Sequence, residues 1–106
     1  MIDRHDTYGW RKGDVDHIAE QLERILFVHL EPRSSLYRGE YYNWRGPGNA
    51  HIVLQENVVE EDDGLRTDDE FPEHSVLLYA SYLPEPWFER IAAMPGAEWL
   101  RSQVPS

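Results

Sequence analysis

Glu40-Tyr41-Tyr42-Asn43-Trp44-Arg45-Gly46-Pro47-Gly48-Asn49-Ala50-His51-Ile52-Val53-Leu54-Gln55 decides the fold class of this chain. Aromatic residues crowd its first third and β-branched and aliphatic residues its last, both compositions that favour extended backbone. Gly46-Pro47-Gly48-Asn49 lies between them as a turn signal. Two strands joined by a short turn make an antiparallel hairpin, and the second strand reads on as far as Val58-Val59. Side chains alternate across a strand, so Tyr42 and Trp44 face one way while Tyr41 and Asn43 face the other.

The flanking segments add helices and further strands. Upstream, Val15, Ile18, Leu22, Ile25 and Leu26 recur at the spacing of one helix face behind Asp14, which predicts a helix over 14–25. Asp16 and Glu20 place negative charge near its positive end. Phe27-Val28-His29-Leu30-Glu31 then reads as a short strand stopped by Pro32, followed by a polar turn over Arg33–Gly39. Downstream, Ser75-Val76-Leu77-Leu78-Tyr79-Ala80-Ser81-Tyr82 has the continuous apolar character of a central strand. Pro84-Glu85-Pro86 opens a second helix that buries Trp87, Phe88, Ile91 and Met94 and stops at Pro95-Gly96. Glu98-Trp99-Leu100-Arg101 reads as a last turn or a small edge element. The expected fold is α+β: a single antiparallel sheet of about four strands in the order α-β-β-β-β-α, with both helices on one face. Leu22, Ile25, Leu77 and Ile91 are expected in the core.

Composition sets the bounds around that fold. A chain of 106 residues is expected to be a single domain over 1–106, because halves would be too small to bury a core. Apolar residues make up 41% of the chain, with 4 Trp, 6 Tyr and 3 Phe, enough bulk to fold without metal or disulfide support. There is no cysteine, which removes thiol chemistry and fits a reducing cytoplasm. Met1-Ile2-Asp3-Arg4-His5-Asp6 has no apolar stretch of the secretory kind, and no apolar run approaches membrane-spanning length. The expected location is cytoplasmic. A net charge of −10 disfavours both nucleic acid and anionic membranes as partners.

Nearly all of that charge sits in one window. Residues 56–73 hold nine acids against one base, a net of −8 out of −10. A patch of one sign concentrates oppositely charged partners and speeds encounter with them. Loops of that length are usually functional or disordered. A calcium loop does not fit it: with Gly64 at the sixth position of an EF-hand loop, Val59 occupies the first and cannot ligate. The five histidines fall on five different elements with no metal-ligand spacing. Nucleophile-elbow, zinc-protease, phosphate-loop and deaminase signatures are missing too, so neither catalysis nor a cofactor is expected. Tyr, Trp and Arg gather between Arg38 and Arg45, where one set of aromatics is expected to build the buried sheet core and the other, beside the arginines, has the composition of interface anchors.

Ser34-Ser35-x-Tyr37-x-Gly39-x-Tyr41-Tyr42-x-Trp44, followed by Leu54-Gln55-x-Asn57, resembles the small acidic α+β immunity proteins of bacterial polymorphic toxin systems, as do the chain's size and localised acidity. The resemblance covers about a quarter of the chain. It implies a non-enzymatic protein that binds one cognate toxin and covers a basic active-site cleft. The residues expected to bind that toxin are Glu60, Glu61, Asp62, Asp63, Asp68, Asp69 and Glu70 in the acidic segment, with Tyr41 and Trp44 as anchors. The alternative expectation is a small enzyme or ligand-binding domain with a pocket between helix and sheet.

Overall fold

The structure, a computed structural model, describes residues 4–35, 39–57, 71 and 73–103. Their elements run β1 (His5–Trp10), α1 (Val15–Leu26), β2 (Glu31–Ser35), β3 (Gly39–Arg45), β4 (His51–Glu56), β5 (Val76–Ser81), α2 (Glu85–Ala92) and β6 (Glu98–Gln103). One six-stranded sheet has the spatial order β2-β3-β4-β5-β1-β6, and every neighbouring pair is antiparallel. The expectation of four strands with a helix at each end is therefore corrected: the order is β-α-β-β-β-β-α-β, and a strand begins and ends it.

Of the two additional strands, β6 takes the edge-element alternative of Glu98–Arg101, and β1 has a physical reason for escaping notice. β1 carries Asp6, an unfavourable strand residue, at a position only 2% exposed. It is tolerated because Arg4, Tyr8 and Ser102 all donate hydrogen bonds to its carboxylate. β6 is an edge strand, so half of its backbone groups need no neighbour and its side chains need no apolar alternation.

β2 is also displaced from the expected Phe27–Glu31. Phe27 is the C-cap of α1 in the left-handed region (φ 56°) and is almost fully exposed, and the strand begins at Glu31. Pro32 sits inside β2, where an edge position tolerates its missing N–H. Arg33, placed in a turn from sequence, belongs to this strand; residues 36–38 of the expected turn, and the Val58-Val59 extension of β4, lie outside the described residues.

α1 follows its pattern closely. The Asp14 carboxylate accepts from the Asp16 N–H at 3.1 Å, and Ile18, Ala19, Leu22 and Leu26 are buried. α2 takes Pro86 in its first turn and buries Phe88 and Ile91. Both helices lie on the same sheet face, over Tyr8 and Trp10 of β1, Ile52 and Leu54 of β4, and Val76, Leu78 and Ala80 of β5. Tyr42, Trp44 and Trp87 close the rim of this core, with the two indoles 5.3 Å apart. Trp10 Nε1 donates to the Pro95 carbonyl at 3.1 Å and so fixes the turn between α2 and β6. Gly96 allows that turn: its φ is 77°, and a Cβ there would lie 3.2 Å from Trp10 Cδ1. Of the four expected core residues, Leu22, Leu77 and Ile91 are fully buried, while Ile25 is half-buried against the core. Leu77 points away from the helices.

Candidate functional site

The face opposite the helices is the part of the sheet that the core does not explain. Strand register sets its side chains in three cross-strand rows. His5, Ser81, His51 and Arg45 form the first; Thr7, Tyr79, Val53 and Asn43 the second; Gly9, Leu77, Gln55 and Tyr41 the third. No residue of these rows belongs to the main core cluster, and no described helix crosses them. The rows are knit by their own hydrogen bonds. His5 Nδ1 and Ser81 Oγ are 2.8 Å apart, His51 Nε2 and Asn43 Oδ1 are 2.7 Å apart, and Tyr82 meets the His5 ring edge-on at 4.8 Å. Thr7, Gly9, Val53, Leu77 and Gln55 of these rows are buried, His5, Tyr41, Asn43, His51, Tyr79 and Ser81 are half-buried, and Arg45 is exposed.

The acidic window joins the two central strands, β4 and β5, and the described residues at its ends are tightly held. Asn57 is fully buried; its N–H donates to the Ser75 carbonyl at 2.8 Å, and its Nδ2 donates to the carbonyls of Phe71 (2.8 Å) and His74 (3.0 Å). One buried amide thus closes the neck of the connection, a role in which an Ala would remove the Nδ2 donor from both the Phe71 and the His74 carbonyls. His74 lies against Gly9, where a Cβ would come within 2.9 Å of its ring. The His74 Nε2–H donates to Glu98 at 2.6 Å, and buried Nδ1 has no hydrogen-bond partner. Arg11 bridges Glu98 and Glu73 at 3.1 and 2.6 Å. The hydrogen bond from His74, backed by Arg11, holds the Glu98 carboxyl below the ordinary carboxylate range. Phe71 packs edge-on to His74, and the Arg101 guanidinium lies 5.5 Å from its ring centre.

Two other polar clusters are structural. Burial opposes ionisation of Asp6, but hydrogen bonds from Arg4, Ser102 and Tyr8 outweigh it and hold its carboxyl below the usual range. Tyr8, desolvated and bonded to Asp6, is pushed well above an ordinary phenol. Tyr42 donates to Asp16 at 2.5 Å across the α1 N-terminus, and this bond, with some burial, pushes its phenol up to about 12. A groove of about 370 Å³ runs between α1 and α2, floored by Ile25, Ala93, Met94 and Pro95. Arg24 and Arg90 at its rim each occupy the last turn of a helix, where C-terminal carbonyls favour a cation.

The sequence-derived binding residues divide sharply. Glu60, Glu61, Asp62, Asp63, Asp68, Asp69 and Glu70 lie outside the described residues. Tyr41 is half-buried on the helix-free face, whereas Trp44 is on the helix-bearing face and packs on Trp87. Those two aromatics therefore cannot anchor the same flat surface. Sequence reasoning did not single out His5, His51, Tyr79 and Ser81, although alternation along β4 and β5 could have paired the last three. It had no means of finding the His74–Glu98 contact, whose partners are 24 positions apart. Among the described residues, no group of three His, Asp or Glu side chains is arranged to hold a metal ion, and no helix is long and apolar enough to cross a membrane. No family model, curated protein or solved structure matches this chain.

Proposed function

We propose that this chain is an immunity-type protein: a non-enzymatic inhibitor that binds one toxin domain and covers a basic active-site cleft. The observation that carries the reading is a −8 segment, residues 56–73, that connects in sequence the two central strands of a sheet with no described helix on one of its faces. In this reading the carboxylates Glu60, Glu61, Asp62, Asp63, Asp68, Asp69 and Glu70 occupy a cleft shaped for phosphate. Steering by exposed charge raises the association rate more than the affinity, so desolvated anchors must supply much of the binding free energy. Tyr41, Tyr79, His5 and His51 have the right chemistry and share one surface. The existing hydrogen bonds of His5 and His51 reduce the ordering cost of docking for these two side chains.

The test begins with capture of the partner from the native host on the tagged chain, followed by binding kinetics at several salt concentrations. Changing Glu60, Glu61, Asp62 and Asp63 to Gln or Asn should slow association by about tenfold or more at low salt, with convergence on the parent as salt screens the charges. Tyr41→Ala should instead raise the dissociation rate and leave the salt dependence unchanged. Identical kinetics for the neutralised variant at every ionic strength would mean that the segment serves solubility alone.

A further inference from the structure

The groove between α1 and α2 has the size and lining of a small-molecule site. It measures about 370 Å³, within the range of clefts that hold small ligands, and Ile25, Ala93, Met94 and Pro95 form its floor. That floor is held in place from within the fold. Trp10 Nε1 donates to the Pro95 carbonyl at 3.1 Å, and the Met94 N–H donates to the Ile91 carbonyl at 3.1 Å. Met94 is buried, Ile25 is half-buried, and Ala93 and Pro95 are exposed, so the trough offers apolar surface to solvent. Gln21 is the one neutral polar residue in its lining.

Charge decides the kind of ligand. Arg24 and Arg90 border the groove, and both are exposed. Other arginines of this acidic chain grip carboxylates: Arg4 holds Asp6 and Glu85, Arg11 holds Glu73 and Glu98, and Arg33 holds Glu31. Among the described residues Arg24 and Arg90 form no such pair, although Glu20 stands four positions before Arg24, the spacing of a helical ion pair. A last-turn position accounts for a cation on either helix. It does not account for two unpaired cations bordering one apolar groove in a chain with 20 acids and 10 bases. Two guanidiniums beside an apolar trough are complementary to an oxyanion carried on an apolar tail. The C-terminal carbonyls of both helices oppose a dianion, so a singly charged carboxylate suits the groove better than a phosphate.

We propose that this groove binds a single-chain amphiphile with a carboxylate head, a fatty-acid-type ligand. Its alkyl tail lies along Ile25, Ala93, Met94 and Pro95, and its carboxylate meets Arg24 and Arg90. The net charge of −10 makes indiscriminate adsorption of such an anion unfavourable over the rest of the molecule. The groove is on the helix-bearing side of the sheet, so the site does not depend on the proposed inhibitory function.

The test is an amide NMR titration of the purified chain with decanoate to about 5 mM, since a small ligand in a groove open to solvent should bind with a Kd of about 1 mM. Saturable shifts are expected at Gln21, Arg24, Ile25, Arg90 and Ala93. Decanol, which lacks the charged head, and butanoate, which lacks most of the tail, should each bind about tenfold more weakly or worse. Arg24→Gln and Arg90→Gln should each raise the Kd about threefold, and together about tenfold. Ala93→Leu fills the groove from an exposed position, so it should abolish the shifts while the rest of the spectrum stays that of the folded parent. Absence of saturable shifts over this range overturns the proposal. So do shifts centred away from the groove, equal affinity for decanol, or a double arginine variant that binds decanoate as tightly as the parent.

Discussion

Replacing Asp6 by Asn probes the one buried charge on which β1 depends. Each carboxylate oxygen accepts two hydrogen bonds: Oδ1 from Arg4 Nε (2.9 Å) and Ser102 Oγ (2.6 Å), Oδ2 from Arg4 Nη2 (2.6 Å) and Tyr8 Oη (2.9 Å). All four partners are donors. An Asn side chain offers one oxygen and one amide, so either orientation turns two donors toward an N–H₂ group. Hydrogen bonds to a charged acceptor are worth about 1.5–3 kcal/mol each, and removing one partner of a buried pair costs about 3–5 kcal/mol. Arg4 is 21% exposed and keeps Glu85 at 3.0 Å, which softens the loss. Tyr8 retains only a long contact of 3.4 Å to the Phe88 carbonyl. The expected destabilisation is about 3 kcal/mol, or about 1–3 M in urea midpoint at neutral pH for a chain of this size. The pH dependence adds a second reading. Asp6 has a lower pKa folded than unfolded, so its stabilisation is complete above the unfolded value of about 3.9 and declines as pH falls toward the folded value. The parent–variant gap should therefore narrow below about pH 4, while carboxylates common to both chains cancel. Equal midpoints at pH 7, or a gap that does not narrow in acid, would refute the role assigned to Asp6.

Further substitutions test the neck of the acidic window and the α1 cap. Gly9→Ala places a methyl group 2.7 Å from Leu100 Cδ1 and 2.9 Å from His74 Cδ2, and should cost about 1–3 kcal/mol in urea denaturation. Because the clash is shared with His74, the added cost of Gly9→Ala should be smaller in a His74→Ala background, and strict additivity in that cycle would exclude the contact. Tyr42 should ionise near 12 in a spectrophotometric titration assigned by Tyr42→Phe, and Asp16→Asn should return it toward the ordinary value of about 10. An unchanged titration in Asp16→Asn would remove the hydrogen bond as the cause.

What could be read from the sequence was what depends on local periodicity. α1 lies within a residue of its expected bounds because Asp14 caps it and Ile18, Leu22 and Leu26 share a face. The β3–β4 hairpin follows from Gly46-Pro47-Gly48-Asn49 and from alternation, which also separates Tyr41 from Tyr42 and Trp44. β1 is missed, and β6 stays open between a last turn and an edge element, because their stability is nonlocal. Thr7 sits between Tyr79 and Arg101, and Asp6 is satisfied by Ser102 from the far end of the chain. Phe27 misled in the opposite direction: an aromatic residue with strand propensity occupies a left-handed helix cap. The acidic window was legible as charge. Its neck was not, because Asn57 and His74 each act through partners in other parts of the chain.

The division between the two sheet faces bears on the proposed inhibition. Helices of 12 and 8 residues can cover one side of a six-stranded sheet, and here they cover the side carrying Tyr8, Ile52, Leu54 and Leu78. On the other side Thr7, Val53, Leu77 and Gln55 are buried, and half-buried His5 and His51 are hydrogen-bonded to Ser81 and Asn43 around them. Charge is concentrated instead in the connection between β4 and β5, which leaves the anchoring rows nearly free of carboxylates. On the proposed reading, steering and anchoring belong to different segments of the chain. Substitutions in the window should then act on association, and those in the rows on dissociation. An inhibitor built this way can change its toxin by altering the rows while the −8 segment continues to bring basic clefts toward it.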